Sequence, residues 1–153
     1  MKEGTSMVSL RHFTEDDAET LRQKLWQDMP CEEVVRMIGD WNTLVFDGRY
    51  YEAFAVERDG AVVGMVSLYE HTASTVSLGV EIFGSERRKG CAAEAVAALL
   101  DHARGKGYRI AQDQVRADNA ASIRLHEKLS FESDGYVYRN QKDQKVLLWW
   151  KPL

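Results

Sequence analysis

Cysteine and proline are scarce in this chain, at two residues each of 153. Cys31 and Cys91 supply neither a disulfide framework nor the paired spacing of a metal site, and they suit a reducing cytoplasm. Pro30 and Pro152 stand alone, and no Ser/Gly-rich tract, repeat or low-complexity stretch separates one part of the chain from another. Residues 1–153 therefore read as a single domain, long enough to bury a sizeable core. No apolar run approaches the ~20 residues of a membrane span. The opening residues MKEGTS have no apolar centre, so they do not read as a signal peptide. Cations are also in deficit, with 20 Lys and Arg against 24 Asp and Glu and a net charge of −4. A surface for nucleic acid is not expected, and any task for a cationic cluster is local.

What is present is a regular alternation of periods. Val8 to Phe13 reads as a strand, and Thr14 with Glu15, Asp16 and Asp17 suits the start of a helix. That helix carries Ala18, Leu21, Leu25 and Trp26 on one side. A second follows Pro30, with Cys31, Val34, Val35 and Ile38 at i, i+3, i+4 and i+7. From Tyr51 the period falls to two. Tyr51 to Glu57 and Ala61 to Tyr69 form a hairpin about Arg58-Asp59-Gly60, and Thr75 to Phe83 is a further strand. Gly90 to Lys106 is a helix striped by Val96, Leu99, Leu100 and Ala103 and stopped by Gly107. Ile110 to Val115 is a strand, Ala120 to Leu129 a helix, and Phe131 to Arg139 with Val146 to Trp150 a last strand pair. The order β-α-α-β-β-β-α-β-α-β-β describes a mixed α/β domain with one βαβ crossover.

The crossover runs through SERRKGCAAEA, residues 85–95. Arg87, Arg88 and Lys89 precede Gly90, and Cys91 and Ala92 open the helix. The first turn of a helix leaves backbone N–H groups without partners, and the macrodipole adds roughly half a positive charge there. Gly90 lets the backbone approach a ligand closely. This combination suits a phosphate, yet it is neither a G-x-x-x-x-G-K-[ST] loop nor a G-x-G-x-x-G fingerprint.

Arg87 to Ala92 fits [RQ]-x-x-G-x-[GA], and one strand later comes NAASIRLHEKLSF, residues 119–131. Together these blocks resemble the GNAT family of N-acetyltransferases, in particular its small-molecule and ribosomal-protein alanine branches. The resemblance implies an α/β fold with a mixed, mostly antiparallel sheet flanked by helices. It implies acetyl-CoA as co-substrate and no metal. The backbone of Val80 and Ile82 would hold the pantetheine arm as an added strand, and Arg87 to Ala92 (Arg87, Arg88, Lys89, Gly90, Cys91, Ala92) would cradle the pyrophosphate. Asn119 would touch the pantetheine or thioester end, and Ser122 would lie along the same arm. The acceptor would be a small-molecule amine or a peptide N-terminus, and the protein a monomer or homodimer.

The chemistry so implied is direct attack of an amine on the thioester, which needs a base, an oxyanion site and a proton for the leaving thiolate. Asn119, Ser122 and His126 fall at i, i+3 and i+7, on one helix face. His126 stands where many relatives have Tyr and is the candidate acid. For the base, Glu81 is the candidate, with Asp113, Glu70, His71 and a water relay as alternatives; Gln114 replaces a Glu that some relatives carry. The acceptor groove is expected among Trp26, Trp41, Tyr50, Tyr51, Trp149 and Trp150, with Asp40, Asp47 and Glu52 as acids. The alternative to an enzyme is a non-catalytic acyl-CoA-binding domain of the same fold.

Overall fold

A computed structural model describes residues 7–153. The six residues considered as a signal peptide lie outside the described part. The chain opens with β1 (Ser9–Arg11), a 3-10 turn at Glu15–Asp17, α1 (Ala18–Leu25) and α2 (Cys31–Trp41). A short β2 (Val45–Phe46) leads into the meander β3 (Arg49–Arg58), β4 (Ala61–Glu70) and β5 (Thr75–Ile82). Then come α3 (Cys91–Gly105), β6 (Ile110–Arg116), α4 (Ala120–Lys128), β7 (Glu132–Ser133), β8 (Tyr138–Arg139) and β9 (Lys145–Pro152).

The strands form one sheet in the order β1-β3-β4-β5-β6-β9-β7, with β2 on β3 and β8 on β9. Among the described residues only β5 and β6 run parallel, and α3 is the crossover between them. The sheet divides two apolar cores. On one face Phe54, Val66, Leu68, Val76 and Leu78 pack against the Ala95, Val96, Leu99 and Ala103 stripe of α3, with Ile123 and Leu129 of α4 alongside. On the other face Ala53 and Ala55 pack against Leu21 of α1 and Val34 and Ile38 of α2.

Most of this follows from the sequence periods, and the differences have local causes. The β3–β4 turn is a two-residue loop, with Asp59 at φ 52° and Gly60 at φ 81°, as its strand twist requires. Cys31 heads α2 but is exposed, outside the apolar stripe assigned to it. The strand expected over residues 131–139 is broken into β7 and β8, because Gly135 at φ 77° turns the backbone out of the ladder. Val45–Phe46 is too short for a period to show, and it enters the sheet only by pairing with Tyr50 and Arg49.

Candidate active site

The site begins where two parallel strands part. β5 and β6 are in register only over Thr75–Ser77 and Ile110–Gln112, after which no pairing joins them. The Ile110 N–H donates to the Ser74 carbonyl at 3.1 Å, so even-numbered backbone groups of β6 face β5. In a parallel ladder the matching groups of β5 are those of Val76, Leu78, Val80 and Ile82. The backbone of Val80 and Ile82 therefore faces the side on which β6 has parted from β5, with no strand opposite. The Ile82 carbonyl already accepts from Arg87 Nε at 3.1 Å.

The cationic loop closes the open end of this cleft. After a turn at Gly84–Glu86 the chain enters the left-handed region twice, at Arg88 (φ 66°) and Gly90 (φ 82°). Such alternation turns successive N–H groups toward one side. In α3 the Glu94 N–H is bonded to the Gly90 carbonyl, so the N–H groups of Cys91, Ala92 and Ala93 precede the first intrahelical bond. The three cationic side chains divide their work. Arg87 folds back onto Glu81 at 3.1 Å, Lys89 reaches Glu86 at 3.3 Å, and Arg88 is exposed. The Cys91 side chain is buried and packs as a small residue.

α4 covers the other wall. The Asn119 side chain caps it by accepting from the Ser122 N–H at 3.1 Å, which leaves the Asn119 amide group free to donate outward. His126 is only 2% exposed, packed edge-on to Phe131 and tilted against Trp149. Its Nδ1 lies 2.7 Å from the Ser122 carbonyl and its Nε2 lies 2.8 Å from Asp113 Oδ2. The Ser122 carbonyl can only accept and an ionised Asp113 likewise, so with Asp113 ionised this geometry favours the ring that donates from both nitrogens. Burial works against that charge, but Asp113 and the Ser122 carbonyl outweigh it and raise the His126 pKa above the ordinary imidazole value. Glu81 lies on the opposite face of the sheet, half-exposed beside Arg87. Thus Val80 and Ile82 lie at the end of β5, residues 87–92 at the start of α3, and Asn119, Ser122 and the buried His126 along the start and length of α4, while Glu81 looks toward α1 and α2.

A family model for the acetyltransferase (GNAT) domain matches residues 8–132. The chain belongs to the GNAT acetyltransferase family. An L-methionine sulfoximine/L-methionine sulfone acetyltransferase of Pseudomonas paraeruginosa is 28% identical over 134 residues, covering 82% of this chain and 73% of its own. A ribosomal-protein-alanine N-acetyltransferase from Brucella melitensis shares the fold at TM-score 0.75 and 24% identity, over 95% of this chain and 99% of its own. The microcin C7 self-immunity acetyltransferase, solved with acetyl-CoA and AMP, does so at TM-score 0.82 and 14% identity, over 97% and 94% of the two chains. The protein is accordingly an N-acetyltransferase of the GNAT kind.

Strand parity sorts the residues expected around the acceptor of this acetyltransferase. Tyr51, Trp26 and Trp41 lie on the α1–α2 face, but Tyr50 and Trp149 belong to the core beneath α3. Phe46, Tyr51 and Tyr69 form a ring cluster on the former face, with centroids 5.8–6.3 Å apart. Glu52 is turned away from it. Its side chain is buried and accepts from His12 Nε2 at 2.6 Å, from His102 Nε2 at 2.7 Å and from the Tyr50 hydroxyl. Two features escaped sequence reading, the Glu52 network and the Asp113–His126 pair. The second had a signal: Asp113 falls between Ala111 and Val115 on an otherwise apolar parity.

Proposed function

We propose that this acetyltransferase moves an acetyl group from acetyl-CoA to the primary amine of a small, amino-acid-like molecule, by direct attack in a ternary complex. The observation that carries this is the parting of β5 and β6 beyond Ser77, where Val80 and Ile82 have no strand opposite and β5 runs on toward the loop and helix start at residues 87–92. An extended amide-bearing arm can add there as a strand, with its phosphates on the N–H groups and cations of the loop. The thioester supplies an activated acetyl group. The named activity of the Pseudomonas relative supports an amino-acid-like acceptor.

In this reading the acceptor approaches from the α1–α2 face, across the Tyr51, Tyr69 and Phe46 rings. Glu81 is the carboxylate on that face of β5, and it takes the amine proton through a water molecule. His126 keeps its proton between Asp113 and Ser122, and the leaving thiolate is protonated by water entering the cleft. Replacing Glu81 by Gln is expected to lower kcat about 100-fold with little change in acetyl-CoA affinity, the share typical of a general base.

Free-thiol release with acetyl-CoA and a panel of amines tests the function. Methionine sulfone and related amino acids should turn over, and peptide N-termini and polyamines should be poor. Acetyl-CoA binding with no thiol release from any amine would overturn the reading in favour of a cofactor-binding module.

A further inference from the structure

We propose that Asp113 is a positioning residue that holds the cleft open, by capping the backbone N–H that the parting of β5 and β6 would otherwise leave without a partner. The proposal rests on the cleft being the acetyl-CoA site, and it assigns to Asp113 and His126 a task apart from the proton transfers proposed above.

Ile110 N–H points to β5 and finds the Ser74 carbonyl. Gln112, two residues on, is the last residue of β6 in register with β5, opposite Ser77. Gln114 comes next on the same edge. Its N–H faces the cleft at the point where the Leu78 carbonyl would stand had the strands continued together. It donates to Asp113 Oδ1 instead, at 2.8 Å. A strand edge left bare here would tend to close onto its neighbour, because an exposed edge with open N–H groups is a template for strand pairing. The side chain of Asp113 removes that incentive.

A carboxylate in this position needs a counter-charge, since Asp113 is mostly buried, at 16% side-chain exposure. His126 supplies it through Nε2 at 2.8 Å and is itself fixed by Ser122, one turn earlier on α4. The chain of bonds runs from α4 through His126 and Asp113 to the Gln114 amide. It ties the helix that borders the cleft to the strand that borders it. The two faces of β6 thus differ in kind: Gln112 and Gln114 look toward the acceptor side, and Asp113 anchors the wall from behind.

Two variants separate this role from simple packing. Asn at position 113 keeps a carbonyl oxygen for the Gln114 N–H, and its NH2 suits a neutral His126 that still donates from Nδ1. Ala keeps neither. At 20 °C, well below melting, Asp113→Ala is expected to weaken coenzyme A binding at least 10-fold by calorimetry. The loss should appear in KM for acetyl-CoA and leave kcat within about threefold. Asp113→Asn should restore binding to within threefold of wild type, although its His126 becomes neutral at pH 7 by NMR. Unchanged coenzyme A affinity in a folded Asp113→Ala would overturn the proposal, as would an Asn variant as impaired as Ala. Wild-type protein provides a test that needs no variant. The Gln114 amide should exchange with solvent at least 100-fold more slowly than an unstructured amide before any ligand is added, and an unprotected Gln114 amide would contradict the cap. Failure of the wild type to bind coenzyme A at all would instead remove the cofactor reading, which the amide measurement does not touch.

Discussion

At the scale of single residues, two buried charges are governed by opposite signs. Burial pushes the Glu52 carboxyl up, but the donors Tyr50, His12 and His102 together outweigh it and hold the pKa below the ordinary carboxylate value. The stability this gives is complete above the ordinary pKa and is lost as pH falls through the lowered one. Glu52→Gln should cost about 2 kcal/mol at pH 7, with the gap to wild type narrowing in acid, as read from urea midpoints. His126 runs the other way, since its pKa is raised. Its contribution is complete below the ordinary imidazole value and fades as pH rises through the folded one. His126→Gln should therefore cost about 3 kcal/mol near pH 6, and less in alkali. Neither partnership was legible in the sequence, because each joins residues far apart: Glu52 to His102, and Asp113 to His126. Sequence spacing gave the face of α4 that carries Asn119, Ser122 and His126, but not the strand that face meets.

Elements were more legible than residues. The amphipathic stripe of α3 and the alternation of β5 fall in the structure where their periods place them, since a buried face imposes its period on the sequence. Elements of two residues leave no period, so β2, β7 and β8 depended on pairing that sequence does not show. Two glycines test how closely β4 and β5 fit. A Cβ on Gly64 would lie 2.5 Å from the Glu81 carbonyl oxygen and 2.9 Å from Ile82 Cα, which are backbone atoms of the cleft wall. A Cβ on Gly79 would meet only Ser67 Oγ, at 2.5 Å, the end of a side chain that can rotate. Gly64→Ala should thus cost about 2 kcal/mol and weaken acetyl-CoA binding, whereas Gly79→Ala should stay within about 1 kcal/mol of wild type. Paired urea and calorimetric titrations check both.

At the scale of the whole molecule, the sheet does the sorting. Its α3–α4 face carries the ion pair that backs the cleft, and its α1–α2 face carries the aromatic ground over which an amine would arrive. A ligand that joins these parts adds its binding energy to the folded state. Coenzyme A at 100 times its Kd should stabilise the protein by about 2.7 kcal/mol and raise Tm by roughly 6–10 °C. The overall architecture was legible from the order of periods and the motifs at residues 87–92 and 119–131, while the acceptor side was not, because parity decides which aromatics share a face. Amide hydrogen exchange measured across the chain with and without coenzyme A tests most directly where the cofactor lies. The expected result is new protection at Val80 and Ile82 and at Gly90 to Ala93, with little change along β1 and α2. Protection that appears elsewhere while those amides exchange as before would contradict the assignment of this cleft.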